Sequence, residues 1–182
     1  KAACECMVLL KSDGTFPLEK ACEVALYGSG ARKTIKGGTG SGDVNVRHYV
    51  TIEEGLKNAG FQITTSDWMD EYEVKYKDAR KLFVKEIKQD ADKKGMPAFL
   101  LGMGAVMPEP EYELPIQKDG DLAIYVLSRI SGEGSDRKPI AGDLKLTRTE
   151  VRDILYLNEH FQKFMLVLNV GGIVDLSPVN HV

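Results

Sequence analysis

Continuous apolar runs alternate with helically spaced apolar residues along this chain, a pattern typical of an α/β protein. A continuous run predicts a buried parallel strand, because such a strand is covered on both faces. These runs lie at Cys22–Tyr27, Asp121–Ser128 and Phe164–Val170, and shorter candidates lie at Phe61–Thr65 and Ala98–Leu101.

Helical spacing and capping signals fall between the strands. In a capping box, a Ser/Thr and a Glu three residues later satisfy backbone N–H groups at the start of a helix. Thr51 and Thr147 each have this partner, in Glu54 and Glu150. The predicted helices are Lys1–Lys11, Thr51–Gly60, Trp68–Lys94 and Thr147–Gln162.

The order of these elements predicts a mostly parallel sheet flanked by helices on both faces, an α/β sandwich. The loops after Tyr27 and Leu127 both leave carboxyl ends of strands, so we expect them at one edge of the sheet, where such folds bind ligands. The 182 residues fit one domain. A doubly wound sheet ordinarily has a further helix after Gly171-Gly172, and the first residue is Lys1, so we expect a domain fragment of a longer protein.

Charge and cysteine content exclude several functional classes. The net charge of −3, with acidic and basic residues interspersed, argues against nucleic acid as a partner. No stretch is long and apolar enough to predict a membrane span. We expect Cys4, Cys6 and Cys22 to be reduced and packed, which favours a reducing, cytoplasmic location. They form no metal-binding spacing with the histidines.

The glycine-rich stretch Gly37–Gly42 follows the first predicted strand and has three interpretations. Glycines let backbone N–H groups approach a ligand closely, as in phosphate-binding loops. Asp43 replaces the lysine of a P-loop and would repel phosphate, which disfavours a nucleotide site. A flexible surface loop and a loop lining a site for a neutral ligand both remain open.

A single carboxylate, Glu133, lies between Gly132 and Gly134 directly after the predicted strand Asp121–Ser128. It could act as a general acid/base, bind a ligand, or be a solvated turn residue. The spacing alone favours the solvated turn residue, whereas the position beyond a buried parallel strand favours a functional role. Arg129, Asp136 and Arg137 could tune its pKa, since a cation lowers a carboxyl pKa and an anion raises it.

Other candidates have more ordinary interpretations. Glu109, Glu111 and Glu113 alternate in a proline-rich segment that we expect to be extended, exposed and structural. His48 is a candidate only as a loop residue. Trp68, the single tryptophan, is expected to pack in the first turn of its helix, although it could stack on a sugar.

Together these segments resemble a known family. The opening "KAACECMVLLKSDGTFPL" resembles the helix and turn that begin the second domain of glycoside hydrolase family 3 enzymes, typically β-glucosidases. The stretch "ARKTIKGGTGSGDVNVRHYVTIEEGL" is similar to the first glycine-rich loop and helix of that domain. "AIYVLSRISGEGSDRKPIAGDLKL" is similar to its acid/base loop, and "FMLVLNVGGIVDL" to a later strand.

The resemblance implies a two-domain glycosidase in which a (β/α)₈ barrel carries the nucleophilic Asp and this domain carries the acid/base. Glu133 would be the catalytic acid/base of a retaining β-glycosidase, with a β-glucoside or oligosaccharide as substrate and no cofactor. The substrate-binding candidates are Gly37, Gly38, Thr39, Gly40, Ser41, Arg129, Asp136 and Arg137, the last three also supporting the shape and charge of the loop.

Residues 1–182 match only the second domain, and no segment resembles the barrel. Nothing matches Asp43, Asp121 or Asp143 to the nucleophile, so we expect the isolated chain to be inactive. The alternative function is a non-catalytic carbohydrate-binding or inter-domain scaffolding module.

Overall fold

The computed structural model describes residues 5–39, 44–103, 105–117, 121–132 and 136–182. Within these residues, four strands form one sheet: β1 (Glu23–Tyr27), β2 (Gln62–Ile63), β3 (Leu122–Arg129) and β4 (Lys163–Val170). The helices are α1 (Ile52–Asn58), α2 (Ser66–Lys94), α3 (Ala98–Gly102) and α4 (Arg148–His160), followed by a 3₁₀ turn at Ser177–Val179.

The sheet is parallel throughout, in the order β2-β1-β3-β4, which confirms the predicted fold class. The chain moves outward from β1 to β2 and then returns across β1 to β3. Because crossover connections are right-handed, this reversal puts α1 on one face and α2 and α4 on the other. The reversal also creates a topological switch point between the carboxyl ends of β1 and β3.

The two central strands are buried because their continuous apolar sequences are covered on both faces. Every residue of β3 is buried, as are Val24 to Tyr27 of β1. β3 pairs with β4 over its whole length, from Leu122 opposite Lys163 to Arg129 opposite Val170. The rigid centre of the sheet therefore extends to Arg129, where the segment containing Glu133 begins.

An aromatic cluster fixes α2 against the sheet. Trp68 is 3% exposed, stacks on Tyr72 at a centroid distance of 5.7 Å and meets Tyr27 edge-on at 5.0 Å. Its burial confirms the packing interpretation and leaves its ring without a face for a sugar. The residue before α2, Thr65, uses its hydroxyl to bond both backbone groups of Leu26 instead of capping the helix.

Two sequence predictions of secondary structure were wrong. The predicted helix Lys1–Lys11 is not formed over residues 7–11, where the side chains of Met7 to Leu10 are between 72% and 78% exposed. Glu5 is helical, and residues 1–4 of the predicted helix lie outside the described residues. A short helix depends on packing its apolar face, and this segment contacts no such surface among the described residues. The predicted strand at Ala98–Leu101 is instead α3, which follows Pro97 and packs back on α2.

Among the described residues, no helix is long and apolar enough to cross a membrane. The thiols of Cys6 and Cys22 are unpaired, as predicted, but they are exposed, so the prediction that they are packed was wrong for both. Cys4 lies outside the described residues.

We expect Gly28→Ala to destabilise the protein by about 2–4 kcal/mol, as it combines backbone strain with overlap. Gly28 ends β1 with φ of +92°, and an added Cβ would overlap the backbone of Val126. Gly95→Ala is the matched control, because Gly95 has φ of +61° but open space around it. It should cost only the strain of the left-handed conformation, about 1–2 kcal/mol.

Both costs can be measured by urea unfolding followed through the fluorescence of buried Trp68. Equal costs for the two variants would contradict the proposed overlap with β3.

Candidate active site

A cleft of about 260 Å³ opens at the switch point, between the carboxyl ends of β1 and β3. Its walls come from the loop after β1, the end of β3, the first turns of α2, and two segments that precede β3 and α4. The lining includes Lys33, Gly37, Tyr76, Glu109, Arg129 and Arg137. Three predicted site residues, Gly37, Arg129 and Arg137, are thus brought to one cleft, although they are far apart in sequence.

The two loops singled out in the sequence are in direct contact. We call residues 37–42 the glycine loop and residues 130–136 the β3 loop. The N–H of Thr39 donates to the carbonyl of Ser131 at 2.9 Å, and Thr39 forms a parallel bridge with Gly132. This contact confirms that the two loops share an edge of the sheet. Gly40, Ser41 and Glu133 lie outside the described residues.

Glycine is required where these loops touch. A Cβ on Gly38 would lie 2.9 Å from the carbonyl oxygen of Ser131, too close for an ordinary contact. On the other side of the β3 loop, the N–H of Gly171 donates to the carbonyl of Arg129 at 2.9 Å. The β3 loop therefore leaves the sheet between two closely approaching backbones.

Arg129 faces into the protein. Its guanidinium donates to both carboxylate oxygens of Glu150, at 2.8 and 2.6 Å, and its Nε donates to the carbonyl of Asp143 at 3.1 Å. The side chains of Arg129 and Glu150 are only 4% and 1% exposed. Glu150 also accepts from the N–H of Thr147, which completes the predicted capping box of α4.

Arg137 lies at the end of the β3 loop, and the exposed Asp136 precedes it. Nη1 of Arg137 donates to Asp143 Oδ1 at 3.0 Å, and Nη2 donates to the carbonyls of Arg129 and Ile130 at 3.3 and 3.5 Å. Its Nε–H is buried and has no acceptor among the described residues. Each arginine of the cleft is thus paired with a carboxylate.

Glu109 is the residue that the sequence interpretation missed. It is partly buried in the cleft, where its Oε1 accepts from the hydroxyl of Tyr72 at 2.6 Å. Desolvation, reinforced by the nearby charge of Glu150, raises the pKa of Glu109 to about 8. Glu109 is therefore a neutral carboxylic acid at neutral pH, and the prediction that all three glutamates are exposed was wrong for it.

The other two glutamates of that segment behave as expected. Glu111 is exposed and caps α4 by accepting from the N–H groups of Arg148 and Thr149 at 2.9 and 3.1 Å. Glu113 is also exposed. His48 is an exposed loop residue whose Nε2 lies 3.1 Å from Glu54 Oε1, so it has a surface partner.

Lys33 supplies a cation to the wall of the cleft. Its ammonium lies over the ring of Tyr76, 3.2 Å from the centroid. Desolvation lowers the pKa of Lys33, and the charges of Glu73 and Glu109 oppose that shift. Among the described residues, no group of three or more His, Cys, Asp or Glu side chains could hold a metal ion.

Comparison with known families identifies this architecture. The model of the glycosyl hydrolase family 3 C-terminal domain matches residues 7–182. The chain belongs to this family. The match extends over both loops of the cleft and all four strands.

Individual proteins similar to this chain support the same family assignment. The chain is 33% identical to beta-glucosidase A of Butyrivibrio fibrisolvens and 30% identical to a beta-glucosidase of Ruminococcus albus. These alignments cover 97% and 96% of this chain, but it spans only 22% and 17% of those proteins. Beta-glucosidase 3B from Thermotoga neapolitana, solved with glucose, superposes with a TM-score of 0.64 at 31% identity, over 93% of this chain and 23% of that one.

The stability of this family 3 domain should fall between about pH 5 and 8 because of Glu109. Its pKa is about 8 in the folded protein and near 4.5 when unfolded. In this window the folded state keeps a proton that the unfolded state releases, so unfolding becomes easier as the pH rises, at most by about 1.4 kcal/mol per pH unit.

Glu109→Gln should remove this slope, because glutamine resembles the protonated acid in shape and keeps an acceptor for Tyr72. The measurement is the free energy of unfolding of both proteins from pH 5 to 8. Asp153, whose pKa is raised to about 6 by burial, contributes equally to both and cancels in the difference. Parallel pH profiles would show that Glu109 is ionised in the folded state.

Proposed function

We propose that this chain is the C-terminal α/β domain of a retaining β-glucosidase and supplies its acid/base, Glu133. A (β/α)₈ barrel domain of the same protein would supply the nucleophilic carboxylate. The substrate would be a β-glucoside or a β-linked oligosaccharide, bound between the two domains.

The contact between Thr39 and Ser131 is the observation that carries this proposal. It joins the glycine loop to the β3 loop at the switch point, where α/β folds bind ligands. These two loops are the segments whose sequences resemble the site-forming loops of family 3. The names of the relatives, all beta-glucosidases, support the same substrate class.

The proposed chemistry needs two carboxyl groups, about 5–5.5 Å apart in retaining enzymes. Glu133, protonated, would donate its proton to the glycosidic oxygen while the bond from that oxygen to the anomeric carbon breaks. The nucleophilic carboxylate would form the glycosyl-enzyme at the same carbon. Glu133, now ionised, would then take a proton from the water that releases the sugar.

The predicted substrate-binding residues fall into two groups, one bordering the sugar site and one supporting the β3 loop. We propose that the glycine loop, through Gly37, Gly38, Thr39, Gly40 and Ser41, borders the sugar site together with Asp136. Arg129 and Arg137 would support the ends of the β3 loop, since their guanidinium groups form ion pairs with Glu150 and Asp143.

We expect Glu133→Ala in the full-length parent protein to lower turnover by about 10²–10⁴-fold, the usual range for removing a general acid/base. The test compares phenyl and dinitrophenyl β-glucosides, with and without azide. The dinitrophenolate leaves without protonation, so the variant should still form the glycosyl-enzyme and then stall. Azide needs no general base, so it should restore turnover and yield a β-glucosyl azide.

Glu86→Ala, which removes an exposed carboxylate of α2, is the matched control and should leave turnover unchanged. Unchanged turnover in Glu133→Ala would overturn the acid/base assignment and favour the non-catalytic alternative. Loss of activity without azide rescue would also count against it.

The 182-residue chain alone should leave aryl β-glucosides intact, because it would contribute one carboxylate to a reaction that needs two. The measurement is phenolate release by the purified chain against a buffer blank. Hydrolysis that persists at a rate typical of enzymes would mean that both carboxyl groups are present in these residues.

A further inference from the structure

The guanidinium of Arg137 joins the two ends of the β3 loop. The loop begins at Ile130 and returns at Arg137, whose Nη2 donates to the carbonyls of Arg129 and Ile130. The two ends of the loop are thereby held together by a single side chain. The orientation of this guanidinium therefore decides whether both carbonyls are bonded.

Asp143 determines that orientation. Its Oδ1 accepts from Arg137 Nη1 at 3.0 Å, and its Oδ2 accepts from the backbone N–H of Lys138 at 2.8 Å. Both charged side chains are 15% exposed, so the ion pair is shielded from water and stronger than a surface pair. One carboxylate therefore fixes the side chain of Arg137 and the backbone that follows it.

Asp143 is itself held by rigid elements. Its N–H donates to the carbonyl of Ile140, within a turn closed further by Gly142 and Lys145. Its own carbonyl accepts from Nε of Arg129, which is clamped by Glu150 in the first turn of α4. A continuous series of contacts thus connects the core of the domain, through Asp143, to the two ends of the β3 loop.

We propose that Asp143 is a positioning residue for the acid/base, acting through Arg137. This inference rests on the proposed role of Glu133. A general acid must lie within hydrogen-bond reach of the oxygen that it protonates, and its placement depends on locked supporting side chains. Glu133 has glycine on both sides, so the residues next to it in sequence offer no side chain to hold it, and the contacts at the ends of the loop supply one restraint.

Asp143→Asn in the full-length parent tests this proposal. Asparagine keeps the size of the side chain and one acceptor oxygen but loses the charge that binds Arg137. We expect kcat/KM for phenyl β-glucoside to fall about tenfold or more, and kcat/KM for dinitrophenyl β-glucoside to fall less than about threefold. A misplaced acid harms only the reactions that need protonation, whereas partial unfolding would lower both values by the same factor.

Arg137→Lys is the second variant, because lysine keeps the charge but cannot bridge both ends of the loop. It should give the same dependence on the leaving group. The double variant with Asp143→Asn should lose little more kcat/KM than either single variant. Asp13→Asn is the matched control: Asp13 is an exposed aspartate that also accepts a backbone N–H, from Thr15. It should leave both substrates unaffected.

The result for Glu133→Ala distinguishes failure of the proposed function from failure of the positioning proposal alone. If azide rescues Glu133→Ala but Asp143→Asn and Arg137→Lys lower both substrates equally, or neither, then Glu133 is the acid/base and the positioning proposal is wrong. If Glu133→Ala retains full activity, the proposed function fails and the positioning proposal fails with it.

Discussion

The buried ion pair between Arg129 and Glu150 is the interaction on which the rest of the site depends. It joins the last residue of β3 to the first turn of α4 through two parallel hydrogen bonds. Such a pair loses its hydration on folding and is favourable only when the remaining donors and acceptors are satisfied. Here the capping box of α4 and the carbonyls of Ser128 and Asp143 satisfy them.

Burial is the main cause of the protonation of Glu109, and the charge of Glu150 adds to it. Glu150 accepts from both terminal nitrogens of Arg129, whereas the neighbouring carboxyl group of Glu109 accepts from the hydroxyl of Tyr72. Desolvation first, and repulsion from Glu150 second, disfavour the ionised form of Glu109, and its carboxyl group therefore keeps the proton at neutral pH. The cleft thus combines a neutral acid, two arginines that are paired with carboxylates, and the ammonium of Lys33.

Local signals in the sequence were sufficient for most of the architecture. A few neighbouring positions are enough to recognise the apolar runs of β1, β3 and β4 and the capping residues Thr51 and Thr147. The parallel sheet followed from their order, and the shared edge of the two loops followed from the sheet. The resemblance to family 3 then added the roles of residues that spacing alone left open.

What the sequence concealed depends on contacts between distant segments. Nothing local distinguishes Glu109 from Glu111 or Glu113; its inward position is set by a backbone hydrogen bond from its N–H to Gly142. Likewise, the partner of Arg129 is 21 positions away and becomes visible only when α4 packs beside β3. The part of the predicted N-terminal helix that is not formed, residues 7–11, has suitable spacing but no surface in the described residues to pack against.

That N-terminal segment has a practical consequence for handling the chain. Met7, Val8, Leu9 and Leu10 form an unbroken apolar strip in contact with water. Burying a side chain of this size is worth about 1.5–3 kcal/mol, so the strip gains free energy from any apolar surface that covers it. Exposed strips of this kind promote self-association. Self-association of the isolated chain through this strip should therefore increase with protein concentration, and a charged replacement at Leu9 should oppose it.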